Sequence, residues 1–272
     1  MRVEGFVRIF ALVTSLGAAC ACQANRAERV AAADRVTESE LAGLKDQADL
    51  ASLADQVAQG DADRPAPSPA AGDASLSLTP IADGAIFSAE ITHPFLPLSA
   101  IRYSELQSAN ERVVRSVADE TEAVSGIECL VLQEQEFDGG ELAEISYNFF
   151  AQDEPGNVWY FGERVDEYDD GQVVAHGGAW LVGRNASEPC LIMPAEPKVG
   201  LRFKPENSPP DAEEFDEVEA LDGHLTVPFG TFYGLLVVRE GDRPGEWKER
   251  KYYARGVGLI SENAKLNLVR AR

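Results

Sequence analysis

"AQDEPGNVWYFGERVDEYDDGQVVAHGGAW" (151–180) decides the fold class of this chain. Pro155-Gly156 and Asp170-Gly171 are turn signals about 15 residues apart, because glycine accepts the positive φ angles of tight turns. Between them Glu163, Asp166 and Glu167 fall among valine and tyrosine. Since neighbouring side chains on a strand point to opposite faces, one face is apolar and the other charged. The stretch predicts a half-exposed strand between hairpin turns, rather than an active site.

Strand-like segments continue outward from this stretch to the end of the chain. They cover 100–107, 112–119, 126–137, 142–152, 157–168, 172–182, 201–205, 217–221, 224–228, 230–239, 246–254, 257–263 and 266–270. Turn residues join them at 108–110, 138–140 and 221–223, for example. Many short strands without helices between them predict an all-β fold. We expect a single antiparallel meander domain over 81–272, as a curved sheet, half-barrel, barrel or sandwich.

The N-terminus resembles the signal peptide of a bacterial lipoprotein. The apolar run from Ile9 to Ala19 has 11 residues, which suits a signal core and is too short to span a membrane. Cys20 and Cys22 follow small residues, as a lipid-accepting cysteine does, although the usual leucine three positions earlier is absent. Residues 1–22 therefore predict export to the periplasm, outer membrane or cell surface. An ordinary secretory peptide is the alternative to a lipid anchor on Cys20 or Cys22.

Residues 23–80 differ in composition from the rest of the chain. Thr37 and Glu40 have the spacing of a capping box, and apolar residues between 24 and 59 roughly follow helical spacing. The stretch 60–80 is rich in proline, alanine and serine, which is typical of a disordered linker. We expect 23–80 to be a helical and Pro/Ala-rich tether.

The charge balance excludes one class of partner. The chain has 46 acidic and 24 basic residues, a net charge of −22. An acidic surface repels phosphate backbones, so nucleic acid is not an expected partner. The expected membrane contact is the lipid anchor.

Two cysteines, Cys129 and Cys190, lie in the predicted β domain. Export permits a disulfide between them, but sequence alone does not show that they meet. The alternative is two buried thiols. Because neither CxxC nor a Cys/His cluster occurs, the sequence predicts no metal site.

No catalytic motif is present. The only histidines are His93, His176 and His224, and neither G-x-S-x-G nor HExxH occurs. We therefore assign no catalytic residue and no cofactor. Carboxylates are abundant enough that a carboxylate-dependent hydrolase is the alternative function.

Two acidic stretches have a plain structural interpretation. The turns in 153–157 and 166–171 carry the oxygen ligands that calcium prefers, but they do not follow the EF-hand pattern, so we interpret them as acidic hairpin turns. Residues 205–222 hold eight acids and no base, which predicts a solvated loop or sheet edge.

Consecutive aromatic residues point to a binding surface. Runs such as Phe149-Phe150 and Trp159-Tyr160-Phe161 place aromatic rings on both faces of a strand. A curved sheet with a second apolar face can hold a ligand. Phe149, Trp159, Phe161 and Trp180 are the predicted ligand-facing residues.

Several sequence blocks resemble a family of uncharacterised bacterial secreted proteins and lipoproteins. They are "THPFLPL" (92–98), "AQDEPGNVWYFGE" (151–163), "EYDDGQVV" (167–174), "LIMPAEPKVG" (191–200), "VPFGTF" (227–232) and "KYYARGVGLI" (251–260). The resemblance implies export and no known activity. Family members tend to have glycine at the position of Cys190 and cysteine at that of Gly234. The resemblance thus implies that a family disulfide from the position of Cys129 is absent or relocated here.

The sequence as a whole predicts an exported envelope protein. We expect it to bind an apolar ligand or a protein partner through a curved sheet.

Overall fold

The computed structural model describes residue 81 and residues 84–184, 187–209 and 212–272. Within these ranges the chain forms one antiparallel sheet of 16 strands, which confirms the predicted all-β class. The strands are β1 (Phe87–Ser88), β2 (Tyr103–Gln107), β3 (Glu111–Val117), β4 (Glu122–Val124), β5 (Ile127–Asp138), β6 (Glu141–Asp153), β7 (Val158–Asp169), β8 (Gln172–Ala175), β9 (Trp180–Leu181), β10 (Cys190–Met193), β11 (Arg202–Ser208), β12 (Ala212–Val227), β13 (Gly230–Gly241), β14 (Glu249–Ala254), β15 (Gly258–Glu262) and β16 (Leu266–Ala271). The predicted signal peptide, lipidated cysteines and tether lie outside the described residues.

The two turn signals of the opening stretch both join strands. Asp153 accepts a hydrogen bond from the backbone amide of Asn157 at 2.7 Å, which closes the turn between β6 and β7. Asp170 and Gly171 join β7 to β8 with φ angles of 48° and 72°. A type I′ hairpin turn requires positive φ at both central positions, so the sequence signal here is a direct consequence of backbone geometry.

Two meanders make up the sheet. One runs through β2, β3, β5, β6 and β7, and the other through β11 to β16 in chain order. Strand β16 pairs with β2, with Leu268 opposite Leu106, and so joins the meanders into one sheet. The strands at the two ends of this path, β10 and β11, contact each other but share no hydrogen-bonded ladder.

Side chains hold these two ends together along a line that we call the seam. Trp180 Nε1 donates a hydrogen bond to Glu206 Oε1 at 3.3 Å, which links β9, paired with β7, to β11. Across the same line the hydroxyl oxygens of Ser187 and Ser208 lie 2.7 Å apart. The sheet therefore curls until its ends meet. We call the face that bears Trp180 and Glu206 the inner face, and the opposite one the outer face.

The N-terminal part of the described chain packs on the outer face. Strand β1 pairs with the end of β6, and Phe87 makes an edge-to-face contact with Phe161 at 5.4 Å between ring centroids. Ile91, Phe95 and Leu96 follow and are buried in the same hydrophobic core. The sheet therefore has apolar packing on its outer side as well as inside the curl.

The prediction of a solvated loop or sheet edge for the acidic run 205–222 was wrong for residues 212–222. That part of the run lies on β12, between β11 and β13, and buries Glu214 and Asp216. Residues 205–208 lie on β11, which ends the hydrogen-bonded path.

The predicted turn at 221–223 was also wrong, because β12 continues from Ala212 to Val227 and accommodates these residues as bulges. Gly223 fits this bulge because a Cβ atom there would collide with the side chain of Val237.

In the described part of the chain, no helix has the length and apolar character needed to cross a membrane.

Candidate functional site

Eight buried acidic side chains lie on the inner face, among buried apolar residues such as Leu106, Phe150 and Phe203. The eight acids are Glu134, Glu163, Glu206, Glu214, Asp216, Glu240, Glu249 and Glu262, and we call them the acidic interior. Two buried bases share this face, Arg115 and Lys251, so acids outnumber bases four to one. Strand register explains the grouping: Arg115 lies opposite Glu134, and Lys251 lies opposite Glu262. Directly opposite residues of antiparallel strands project to the same face.

The curl brings together acids from strands that are distant in the sheet. Three strands separate β5 from β15, yet the charge of Glu134 contributes to raising the pKa of Glu262. Burial is the main cause, and it raises that pKa to about 8. A carboxyl group with this pKa is mostly protonated at neutral pH. The acidic interior is therefore one electrostatic unit rather than a set of independent strand residues.

Each base forms an ion pair with one acid. Arg115 pairs through Nε with Glu134, which also accepts a hydrogen bond from Asn148 Nδ2 at 3.3 Å. Lys251 pairs through Nζ with Glu240. Burial alone would lower the pKa of Lys251, but the surrounding acids, Glu240 first, raise it well above its usual value. These two bases compensate the charge of two of the eight acids.

Protonation compensates part of the remaining charge. Burial, and then the charge of Glu240, raises the pKa of both Glu214 and Asp216 well above the usual values. Burial also raises the pKa of Glu240, although the charge of Lys251 and the interaction with Glu214 oppose this rise. Burying an ionised carboxylate without a partner costs several kcal/mol, so these groups hold their protons instead.

The described residues contain no group of three or more His, Cys, Asp or Glu side chains arranged to hold a metal ion. His93 lies outside the acidic interior, in the segment that precedes β2. Burial lowers its pKa to about 4, and its ring Nδ1 accepts a hydrogen bond from the backbone amide of Phe95 at 3.2 Å.

A pocket of about 190 Å³ opens beside the seam. Its lining consists of Glu163, Arg164, Ala179, Trp180, Leu181, Arg184 and Ser187. Glu163 and Trp180 are buried, whereas Arg164 and Arg184 are exposed. Arg164 forms a two-point ion pair with Glu122, at 2.5 and 2.7 Å. The pocket thus combines a buried carboxylate, an indole ring and two exposed guanidinium groups.

A bulge in β7 at Gly162 places Glu163, which lines the pocket, on the inner face. Tyr160 and Glu163 both face inward although three positions separate them, because β7 contains an extra residue opposite β6. Gly162 has a φ of 108°, and a Cβ atom there would collide with the backbone of Trp180. Glycine is required at this position for two reasons: the left-handed backbone and the close approach of β9.

The structure separates the four residues that the sequence predicted to face a ligand. Trp180 lines the pocket, and its ring makes an edge-to-face contact with Tyr160 at 5.2 Å. Phe149, Trp159 and Phe161 project from the outer face and are buried in the core. Among their contacts, the Arg164 guanidinium covers the Phe149 ring, and Trp159 Nε1 donates a hydrogen bond to Asp153 at 2.8 Å.

Cys129 and Cys190 are free thiols in this structure. They lie on β5 and β10, which are separated by β6 and β7. Three strand spacings separate β5 from β10, which places the two cysteines about 14 Å apart, whereas a disulfide needs Cα atoms within about 7 Å. Burial raises the pKa of both thiols to about 12.

Sequence reasoning missed the acidic interior and expected Glu163 to be solvated. The available signal was alternation: Glu134 and Glu136, then Glu214 and Asp216, are spaced by two within strands whose other residues are largely apolar. Alternation shows that such acids share a face, but not that the face is enclosed.

Comparison of the chain with models of protein families, with curated proteins and with solved structures found no match. The resemblance to secreted bacterial proteins therefore stays a prediction.

Proposed function

We propose that this protein is an exported, non-enzymatic binding protein of the cell envelope that holds a small zwitterion in the pocket beside the seam. The observation that carries the proposal is the pairing of a buried carboxylate, Glu163, with the indole of Trp180 in a pocket whose exposed rim is basic. Export and a lipid anchor on Cys20 or Cys22 are the part of the proposal that rests on the N-terminal sequence.

The pocket selects a ligand by charge and size. A partly enclosed carboxylate attracts an ammonium group more strongly than an exposed one, because solvent screens it less. The indole of Trp180 adds a face for a cation. Arg184 is exposed at the rim, where a guanidinium can bind a ligand carboxylate. A volume of about 190 Å³ suits a molecule of amino-acid size rather than a lipid tail.

An apolar ligand fits the described residues less well. Three of the four predicted ligand-facing aromatic side chains are packed in the core of the outer face. The pocket on the inner face is lined by Glu163, and an apolar ligand there would leave this buried carboxylate facing an apolar group.

The alternative, a carboxylate-dependent hydrolase, has a candidate pair in Glu214 and Glu240. These groups interact electrostatically, and burial raises the pKa of Glu214, as in an acid/base pair. However, both residues are buried, and unlike Glu163 neither of them lines the pocket. A general acid must reach the atom that it protonates, so we favour the binding function.

The proposal is tested by a thermal-shift screen at pH 7. The probes are the standard protein amino acids, tested singly, together with the amines that result from their decarboxylation. We expect at least one amino acid to raise Tm, and its decarboxylated amine to act more weakly because it lacks the group that Arg184 binds. If none of the probes changes Tm, the proposed ligand class is wrong.

Three variants test whether the ligand binds in the pocket. Glu163→Gln keeps the shape of the side chain and should abolish the Tm shift. Arg184→Gln should remove the preference for the amino acid over its amine. Glu154→Gln, at an exposed turn on the same pair of strands, is the matched control and should bind like the wild type. Binding that survives Glu163→Gln would place the site elsewhere.

A further inference from the structure

Lys251 is enclosed by acids within the sheet. It is 3% exposed and forms an ion pair with Glu240, which is 2% exposed, on the adjacent strand β13. Glu262 lies opposite Lys251 on β15, and Asp216 lies opposite Glu240 on β12. Glu214, also on β12, lies two positions from Asp216 on the same face of the sheet, and it interacts electrostatically with Glu240. A buried amine and a carboxyl group are thus held in contact, with further carboxyl groups on both sides.

We propose that Lys251 and Glu240 condense to a side-chain amide that covalently joins β14 to β13. A bond forms between Lys251 Nζ and Glu240 Cδ, and one C–O bond of Glu240 breaks. Two of the three ammonium protons leave with that oxygen as water, and the third stays on the amide nitrogen. The positive and negative charges cancel, so the reaction needs no oxidant, reductant or other reactant.

A neighbouring carboxyl group assists the proton transfers. Glu214 lies on the same face of β12 as Asp216, two positions away, where it can polarise the Glu240 carbonyl and protonate the departing oxygen. The Lys251 ammonium is in contact with Glu240 and loses two protons, which frees the nitrogen lone pair. One of these protons joins the departing oxygen, and the other replaces the proton that Glu214 gave up. Glu262, which faces Lys251 and is protonated at neutral pH, takes up no proton.

Burial favours the product. Fixed contact between the reacting groups makes the reaction effectively unimolecular. The amide also replaces two buried charges, each of which costs several kcal/mol to remove from water, with a neutral group. The enclosed site excludes the water needed for hydrolysis of the amide.

A surface ion pair provides the internal control. Lys204 Nζ lies 2.7 Å from Glu213 Oε1, on the outer face of β11 and β12. The Glu213 side chain is 43% exposed, so water hydrates the carboxylate. Contact alone should not produce an amide here.

Peptide mapping of the full-length chain by mass spectrometry tests the proposal. Trypsin should yield residues 240–248 joined to residues 251–255, with a mass lower than the sum of the two peptides by one water. Fragmentation must locate the bond, because the Asp-Gly pairs at 83–84, 138–139, 170–171 and 222–223 also lose water when they cyclise. Recovery of the two peptides only as separate, unmodified species, with cleavage after Lys251, would overturn the proposal.

Variants test which side chains take part in the cross-linking reaction. Lys251→Met should abolish the joined peptide, and Lys204→Met should leave it unchanged. Glu214→Gln keeps a hydrogen-bond donor but cannot transfer a proton, so cross-linking should slow by about 10²-fold or more. Cross-linking of Glu214→Gln at the wild-type rate would exclude the role that we assign to Glu214.

Discussion

Replacing Glu262 with glutamine should stabilise the protein at alkaline pH and have little effect at acid pH. Glutamine keeps the size of the side chain but cannot ionise. Burial raises the pKa of Glu262 from 4.5 to about 8 in the folded protein. The folded state therefore binds more protons than the unfolded state between these values. The contribution of Glu262 to the stability of the fold is complete below pH 4.5 and is lost as the pH rises through about 8.

The size of the effect follows from the pKa shift. The pKa of Glu262 rises by about 3.5, which corresponds to about 5 kcal/mol at about 1.4 kcal/mol for each pKa unit. This value is an upper bound, because the interior of the protein relaxes when Glu262 becomes charged. The difference in free energy of unfolding between Glu262→Gln and the wild type should therefore grow from near zero at pH 4 toward several kcal/mol at pH 9.

Urea denaturation followed by tryptophan fluorescence at a series of pH values measures this difference. Glu219→Gln is the control with the opposite sign, because a hydrogen bond from Arg250 lowers the pKa of Glu219. That partly exposed pair stabilises the fold above pH 4.5 by about 1 kcal/mol or less, so Glu219→Gln should destabilise at neutral pH. A Glu262→Gln effect that does not change with pH would show that Glu262 is not a buried, protonated acid.

Three further outcomes follow from the sequence and the structure. Mass spectrometry of the protein from its native host should find a mature N-terminus at Cys20 or Cys22, and intact Met1 would contradict export. Trp159→Ala should lower the free energy of unfolding by about 3–5 kcal/mol, since the ring is buried and its Nε1 donates a hydrogen bond to Asp153. A loss below about 1 kcal/mol in urea denaturation would mean that the ring is not packed. Thiol counting without reductant should find Cys129 and Cys190 reactive after denaturation and slow to react when folded, and failure to react after denaturation would indicate a bridge.

Local patterns predicted most of the strands and turns, but not the short strands β1, β4 and β10. Asp170-Gly171 specifies its hairpin because few other residue pairs accept its two positive φ angles. Alternation between apolar and polar residues likewise predicted β7 as a strand. These signals come from neighbouring residues, so a single sequence contains them.

The enclosure of the inner face could not be read from local patterns. Glu163 and Asp166 look alike in the sequence, yet Glu163 is buried behind the seam and Asp166 is partly exposed near His176. The difference depends on contacts between strands far apart in the chain, such as that of Trp180 with Glu206. The sequence also does not show which face of the strand each aromatic ring lies on, because the bulge at Gly162 changes the alternation of side chains between the two faces.

The central structural claim is that the folded sheet holds protonated carboxyl groups at neutral pH. Infrared spectroscopy in deuterated buffer tests it directly, because a protonated carboxyl has a carbonyl stretch that a carboxylate lacks. We predict that this band is present in the folded protein at pH 7, weaker in Glu214→Gln, and lost when alkali unfolds the chain. Absence of the band from the folded protein at pH 7 would contradict the claim.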